Sequence, residues 1–108
     1  MNHKKVQIYK TSNGKEPFTE WLDGLDKVSR IRILKRLSRL EIGNLGDCKM
    51  IEAGLYELRF FFGSGYRVYF GMLGDAVILL LCGGDKSHQA DDIMKATIYW
   101  KEAQNEII

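Results

Sequence analysis

Between Leu55 and Cys82 the chain runs through three segments of strand-like composition, Leu55–Phe62, Tyr66–Leu73 and Ala76–Cys82, separated only by Gly63-Ser64-Gly65 and Gly74-Asp75. Glycine-rich connections this short make neighbouring strands antiparallel, so the block predicts a three-strand meander. With a three-residue turn, Phe62 pairs with Tyr66, Phe60 with Val68, Leu58 with Phe70 and Tyr56 with Met72, and one face of the ribbon is apolar. The opposite face carries Glu57, Arg59, Arg67 and Tyr69, with Arg59 directly across from Tyr69, and is expected to stay open. A two-residue turn would shift the pairing by one and mix the faces, so the pattern argues against it. Ala76–Cys82 is apolar at consecutive positions, as expected of a central strand covered on both sides.

The remaining elements follow from periodicity and punctuation. Val6, Ile8 and Tyr9 suggest a short first strand, ended by Ser12-Asn13-Gly14. Pro17 suits the first position of a helix whose buried face is Phe18, Trp21, Leu22 and Leu25, with Gly24 at its end. Asp26 caps a second helix, Lys27 to Leu40, with Ile31, Ile33, Leu34, Leu37 and Leu40 on one half and Arg32, Lys35, Arg36 and Arg39 on the other. Gly43, Asn44 and Gly46 read as a loop. Gly83-Gly84 ends the last strand, and Ser87 is expected to cap a final helix whose stripe is Ala90, Ile93, Met94, Thr97 and Trp100. The expected class is α+β, in the order β-α-α-β-β-β-α, with helices on one face of an antiparallel meander sheet and residues 1–108 in a single domain.

Several function classes drop out. The longest apolar run is too short for a bilayer span, and the basic start has no apolar segment after it, so no membrane association is expected. Cys48 and Cys82 have no metal or redox spacing, which points to reduced thiols and a cytoplasmic location. No metal cluster, nucleophile triad or dinucleotide fingerprint is present, so no cofactor or metal is expected. A net charge of +2 says little by itself about partners. The distribution of the charge says more.

Three constellations carry possible chemistry. Arg59, Arg67, Glu57 and Tyr69 suit phosphate, because guanidinium groups bind phosphate oxygens in pairs and stabilise charge building on phosphorus. The same residues also suit a solvated strand face with Glu57 paired to an arginine. Gly83 to Gln89 places Lys86 and His88 at a helix start, where an anion or a simple cap both fit; the spacing is not that of a P-loop. The ridge Arg32, Lys35, Arg36 and Arg39 suits ribosomal RNA or another polyanion, and equally the solvent side of an amphipathic helix.

The strings GLYELRFFFGSGYRVYF and AVILLLCGGDKSHQADDIMKA, with EPFTEWLDGLDK and RILKRLSRLEIGNLGD upstream, resemble phage-derived addiction-module killer proteins of the RelE/ParE toxin superfamily, in its HigB-like branch. The resemblance spans nearly the whole chain. It implies a RelE-like fold and a type II toxin that cleaves mRNA on the ribosome. It also implies a cognate antitoxin as partner, of the helix-turn-helix HigA-like kind, and leaves self-association open.

Carried residue by residue, the resemblance assigns Arg59, Arg67 and Lys86 to phosphate binding and charge stabilisation, and leaves Glu57 as the nearest base or as a group orienting Arg59. Tyr69, His88, Arg32, Lys35, Arg36 and Arg39 are the accompanying RNA-binding candidates. The implied reaction is attack of a 2′-hydroxyl on its own 3′ phosphate without metal. The meander holds no lysine or histidine, a departure from relatives that use them. The alternatives are a ParE-like toxin that inhibits DNA gyrase and a non-toxic RNA-binding module.

Overall fold

Local signals set most of the element boundaries. Asp26 accepts hydrogen bonds from the Ser29 amide and hydroxyl at 3.0 and 2.7 Å, and the helix it starts runs without interruption to Leu40. The computed structural model describes residues 3–106. In order they form β1 (Lys5–Ile8), α1 (Pro17–Asp23), α2 (Lys27–Leu40), β2 (Cys48–Glu52), β3 (Leu55–Arg59), β4 (Arg67–Leu73) and β5 (Val77–Gly84). A 3-10 turn (Lys86–His88) and α3 (Gln89–Glu106) follow. Asp85, rather than the expected Ser87, caps the 3-10 turn by accepting from the Ser87 amide.

The class is α+β, but the sheet differs from the expected one in two ways. It has five strands in the order β1-β5-β4-β3-β2, and β1 runs parallel to β5, so it is mixed rather than antiparallel. The additional strand, β2, lies in the segment after the expected loop; it is an edge strand whose side chains are mostly exposed, so it carries no buried alternation to reveal it.

The helices also occupy both faces rather than one. On the first face, Phe18 and Leu22 of α1 and Ile33, Leu37 and Leu40 of α2 pack on Leu58, Val68, Phe70, Ile78 and Leu80. On the second, Ala96, Trp100 and Ala103 of α3 pack on Leu55, Tyr69, Leu79 and Leu81. Gly71 of β4 makes that second layer possible. A methyl group there would fall inside the Trp100 ring, so only a bare backbone lets α3 lie this close. The buried line of α3 is Asp92, Ala96, Trp100 and Ala103, whereas Ala90 and Met94 of the expected stripe face outward. In α2, Ile31 and Leu34 are likewise exposed.

The β3–β4 register is shifted by two residues from the expected pairing. Tyr56 pairs with Phe70, Glu57 with Tyr69, Leu58 with Val68 and Arg59 with Arg67. The strands close with the Phe60 amide donating to the Tyr66 carbonyl at 2.9 Å, and the residues between form the turn. A two-residue slip preserves which side chains share a face, so the hydrophobic pattern cannot detect it.

Candidate functional site

Covering the second face with α3 changes the character of the polar group on β3 and β4. Glu57 and Tyr69 are fully buried, not solvated as expected. The Tyr69 hydroxyl donates to Glu57 Oε2 at 3.1 Å, and Gln89 Nε2, from the first turn of α3, donates to the same oxygen at 2.9 Å. Burial and the adjacent carboxylate push the Tyr69 hydroxyl far up, which keeps it a donor.

Two guanidinium groups complete the carboxylate's surroundings. Arg67 Nε lies 3.6 Å from Glu57 Oε2, and Arg59 Nε lies 3.9 Å from Oε1. Arg59 also reaches Asp47 Oδ1 at 3.9 Å, and Arg67 Nη1 donates to the Gly65 carbonyl at 3.4 Å. Like charges opposite one another in a ladder repel. Here Glu57 lies between the two arginines, at ion-pair distance from both Nε atoms and hydrogen-bonded to neither, and its charge offsets the repulsion between the two cations at one sheet end.

Lys86 arrives from a different element. Its amide donates to the Ser64 carbonyl at 3.4 Å, tying the start of the 3-10 turn to the β3–β4 turn. Arg59, Arg67 and Lys86 consequently line one open groove of about 500 Å³, together with Phe60, Phe61, Phe62, Gly63 and Gly65. Among the described residues no carboxylate or histidine lines it. Three cations face one cavity, with Glu57 enclosed behind two of them and Asp47 beside Arg59, so the cavity keeps a net positive field.

A second groove, of about 400 Å³, adjoins it. Arg32, Lys35, Arg36 and Arg39 of α2 line it, and Phe60, Phe61 and Phe62 are shared with the first groove and form the wall between them. Helix α2 contains six cations and no carboxylate in its 14 residues, so the charge of this face is unmatched within the helix. The four ridge residues are not equivalent. Arg36 is half-buried and donates to the carbonyls of Arg59 and Asp47 at 2.9 and 3.4 Å, while Arg32 lies 3.8 Å over the Phe62 ring. Lys35 and Arg39 are exposed.

His88 is not brought to either groove. It faces a separate hollow with Trp21, Asp85, Asp92, Lys95 and Tyr99, and its Nδ1 lies 2.9 Å from Asp85 Oδ1. That pairing raises the His88 pKa from its ordinary value and lowers that of Asp85, whose largest influence is the bond from Ser87. Asp92, in the same hollow, is buried, and burial raises its carboxyl pKa. Among the described residues no group of His, Cys, Asp and Glu is placed to hold a metal ion. Nor is any helix among them long and apolar enough to cross a membrane.

Residues 20–101 match the family described as phage derived protein Gp49-like (DUF891). The chain belongs to this Gp49-like family. An uncharacterized protein of Haemophilus influenzae is 42% identical over 86 residues, which cover 79% of this chain and 87% of that relative. The part of this Gp49-like protein that matches the family runs from α1 into α3, and so contains both grooves and the Glu57 cluster. Phe61 and Gln89 were not among the residues singled out from sequence. Phe61 had a readable signal, because strict alternation puts it on the same face as Glu57 and Arg59; Gln89 had none, since its role depends on where α3 docks.

Proposed function

We propose that this Gp49-like protein is the toxin of a type II toxin–antitoxin pair and cleaves mRNA on the ribosome. Membership in a family of addiction-module-type toxins supports the toxin role. The observation that carries the chemistry is the groove in which Arg59, Arg67 and Lys86 converge without an opposing carboxylate in its lining. In this reading the mRNA 2′-hydroxyl attacks its adjacent 3′ phosphate, forming a cyclic phosphate and releasing a 5′-hydroxyl. Arg59 and Arg67 bind the phosphate oxygens and stabilise the negative charge that builds on them. Lys86 adds charge stabilisation and supplies a proton to the departing 5′ oxygen.

Glu57 acts as a positioning residue. It is enclosed by Tyr69, Gln89 and the two arginines, so it orients guanidinium groups rather than receiving the 2′-hydroxyl proton. The groove thus supplies electrostatics without a general base: the 2′-hydroxyl gives its proton to solvent water as its oxygen bonds to phosphorus, and Lys86 takes back from solvent the proton it gives to the 5′ oxygen. Holding the mRNA in an attack-ready geometry falls to the ribosome, whose contribution is proximity and orientation. The same cationic surface suits an acidic segment of a helix-turn-helix, HigA-like antitoxin, which would neutralise the toxin by occupying it.

The test is primer extension on a defined mRNA incubated with the purified protein, with and without programmed ribosomes, beside Arg67→Ala and Lys86→Ala. Lys86 is exposed and outside the buried cluster, so its variant separates chemistry from folding. Ribosome-dependent cuts lost in both variants are expected. Growth arrest by folded protein without cuts would overturn the nuclease reading and move the target to DNA gyrase. Neither cuts nor arrest would overturn the toxin reading in favour of a non-toxic RNA-binding module.

A further inference from the structure

Phe61 is 81% exposed, two residues past the end of β3 and between the two cationic grooves. Its neighbours explain their own presence by packing. Phe60 and Phe62 meet edge to face with centroids 6.0 Å apart, Phe62 meets Tyr66 at 5.5 Å, and Tyr66 meets Trp21 at 6.0 Å. Phe61 takes part in none of the aromatic pairs among the described residues. It is the most exposed large apolar side chain described, on a wall whose two sides both carry guanidinium groups.

Aromatic faces alternating with a cationic track are the general solution for single-stranded nucleic acid, since every base has a face to stack and every nucleotide a phosphate. We propose that Phe61 is a base-stacking residue for single-stranded RNA. It receives a base next to the phosphate held by Arg59, Arg67 and Lys86, while the strand continues over the wall into the groove of Arg32, Lys35 and Arg39. Arg32, stacked on Phe62, extends the same platform. This inference rests on the RNA reading of the grooves and is independent of whether cleavage follows. Charge complementarity favours RNA over an apolar protein partner, because neither groove lining contains a carboxylate among the described residues.

The experiment titrates a single-stranded hexaribonucleotide carrying 2-aminopurine with the full-length protein, without ribosomes, and compares Phe61→Ala and Phe61→Trp. Inorganic polyphosphate is the competitor that reads charge alone. The wild type and Phe61→Trp are expected to bind and quench the probe, and Phe61→Ala to lose the quench and about five- to hundredfold in affinity. Polyphosphate binding is expected to be unchanged in all three. Equal RNA binding by Phe61→Ala, equal losses for RNA and polyphosphate, or no RNA binding by the wild type would each overturn the assignment, and the last would point Phe61 to a protein partner. Cleavage is a separate readout. Phe61-dependent binding without ribosome-dependent cuts would sink the nuclease reading and leave the stacking role standing.

Discussion

Glu57 on β3 sits directly opposite Tyr69 on β4, both fully buried, with the Tyr69 hydroxyl donating to the Glu57 carboxylate at 3.1 Å. The pair anchors the candidate groove from behind, because the same carboxylate holds Arg59 and Arg67. Removing the buried Glu57 carboxylate leaves the largely buried Arg67 without a counter-charge, whereas Arg59 keeps Asp47, and breaking a buried pair in this way costs about 3–5 kcal/mol. Glu57→Gln is therefore expected to destabilise the protein by that order in urea unfolding. Tyr69→Phe, which removes one of the two hydrogen bonds to the Glu57 carboxylate, is expected to lose about 1.5–3 kcal/mol. If Glu57 only filled space, Glu57→Gln would unfold at the wild-type urea concentration.

Arg32 and Arg36 divide the α2 ridge into a binding part and a structural part. Arg36 donates to two backbone carbonyls and lies against Gly46, so Arg36→Ala is expected to lower stability by about 1.5–3 kcal/mol. Arg32 is exposed and lies over one ring, so Arg32→Ala is expected to cost about 1 kcal/mol or less. RNA affinity reverses the order. Measured on folded protein, Arg32→Ala is expected to weaken oligoribonucleotide binding and reduce its salt dependence by about one ion. Equal effects of the two variants on both quantities would refute the division.

How much of this was legible in the residues depended on the range of the determining interaction. Local signals read correctly: Pro17 starts α1, and Asp26 caps an α2 that ends at Leu40. The composition of the faces of β3 and β4 also read correctly, because alternation fixes parity. What failed was set by distant packing. The two-residue slip that puts Arg59 opposite Arg67 leaves alternation unchanged, and the parallel pairing of β1 with β5 joins segments about seventy residues apart. The docking of α3 over Glu57 depends on the absence of a side chain at Gly71, a contact that no periodicity in α3 itself announces. Hence the groove's cations could be named from sequence, whereas the enclosure of Glu57 and Tyr69 could not.

The Gly71–Trp100 contact gives a direct check on that docking. A methyl group at position 71 must displace the indole and with it α3, whose Trp100, Ala96 and Ala103 form the second core. Gly71→Ala is expected to destabilise by about 1–3 kcal/mol or more, through overpacking. Pairing it with Trp100→Leu, which frees the space, is expected to restore part of the loss. Additive losses in this double-mutant cycle would mean that the two side chains do not meet.

Cys82 tests the same layer chemically. Burial pushes its thiol up to about 12, with the Asp92 carboxylate adding to the effect. A thiol so raised is almost wholly protonated at pH 8, and the thiolate is the reactive form. Cys48 is half-buried and also raised, chiefly by burial, so both thiols are expected to react slowly with N-ethylmaleimide in the folded protein, Cys82 the slower. Mass spectrometry of time-quenched samples should show Cys82 modified only as the protein unfolds. Rapid labelling of Cys82 under native conditions would mean that α3 opens from the sheet.

The 3-10 turn that presents Lys86 carries its own pH dependence. Its Asp85–His88 pairing raises the histidine's pKa and lowers the carboxylate's, so both groups are charged between the lowered Asp85 value and the raised His88 value. The histidine's contribution to folding is present in full below about pH 6.5 and is lost as pH rises through its raised folded value. The carboxylate's contribution is present above about pH 4 and is lost as pH falls through its lowered folded value. His88 is exposed and Asp85 half-buried, so the expected signature is a titration shift more than a change in global stability. In NMR titrations of the His88 ring, the midpoint should lie above the ordinary histidine value, and Asp85→Asn should bring it back down. An unchanged midpoint in Asp85→Asn would show that the carboxylate does not hold the histidine, and that the turn carrying Lys86 is ordered by the Ser64 contact and the Ser87 bond to residue 85 alone.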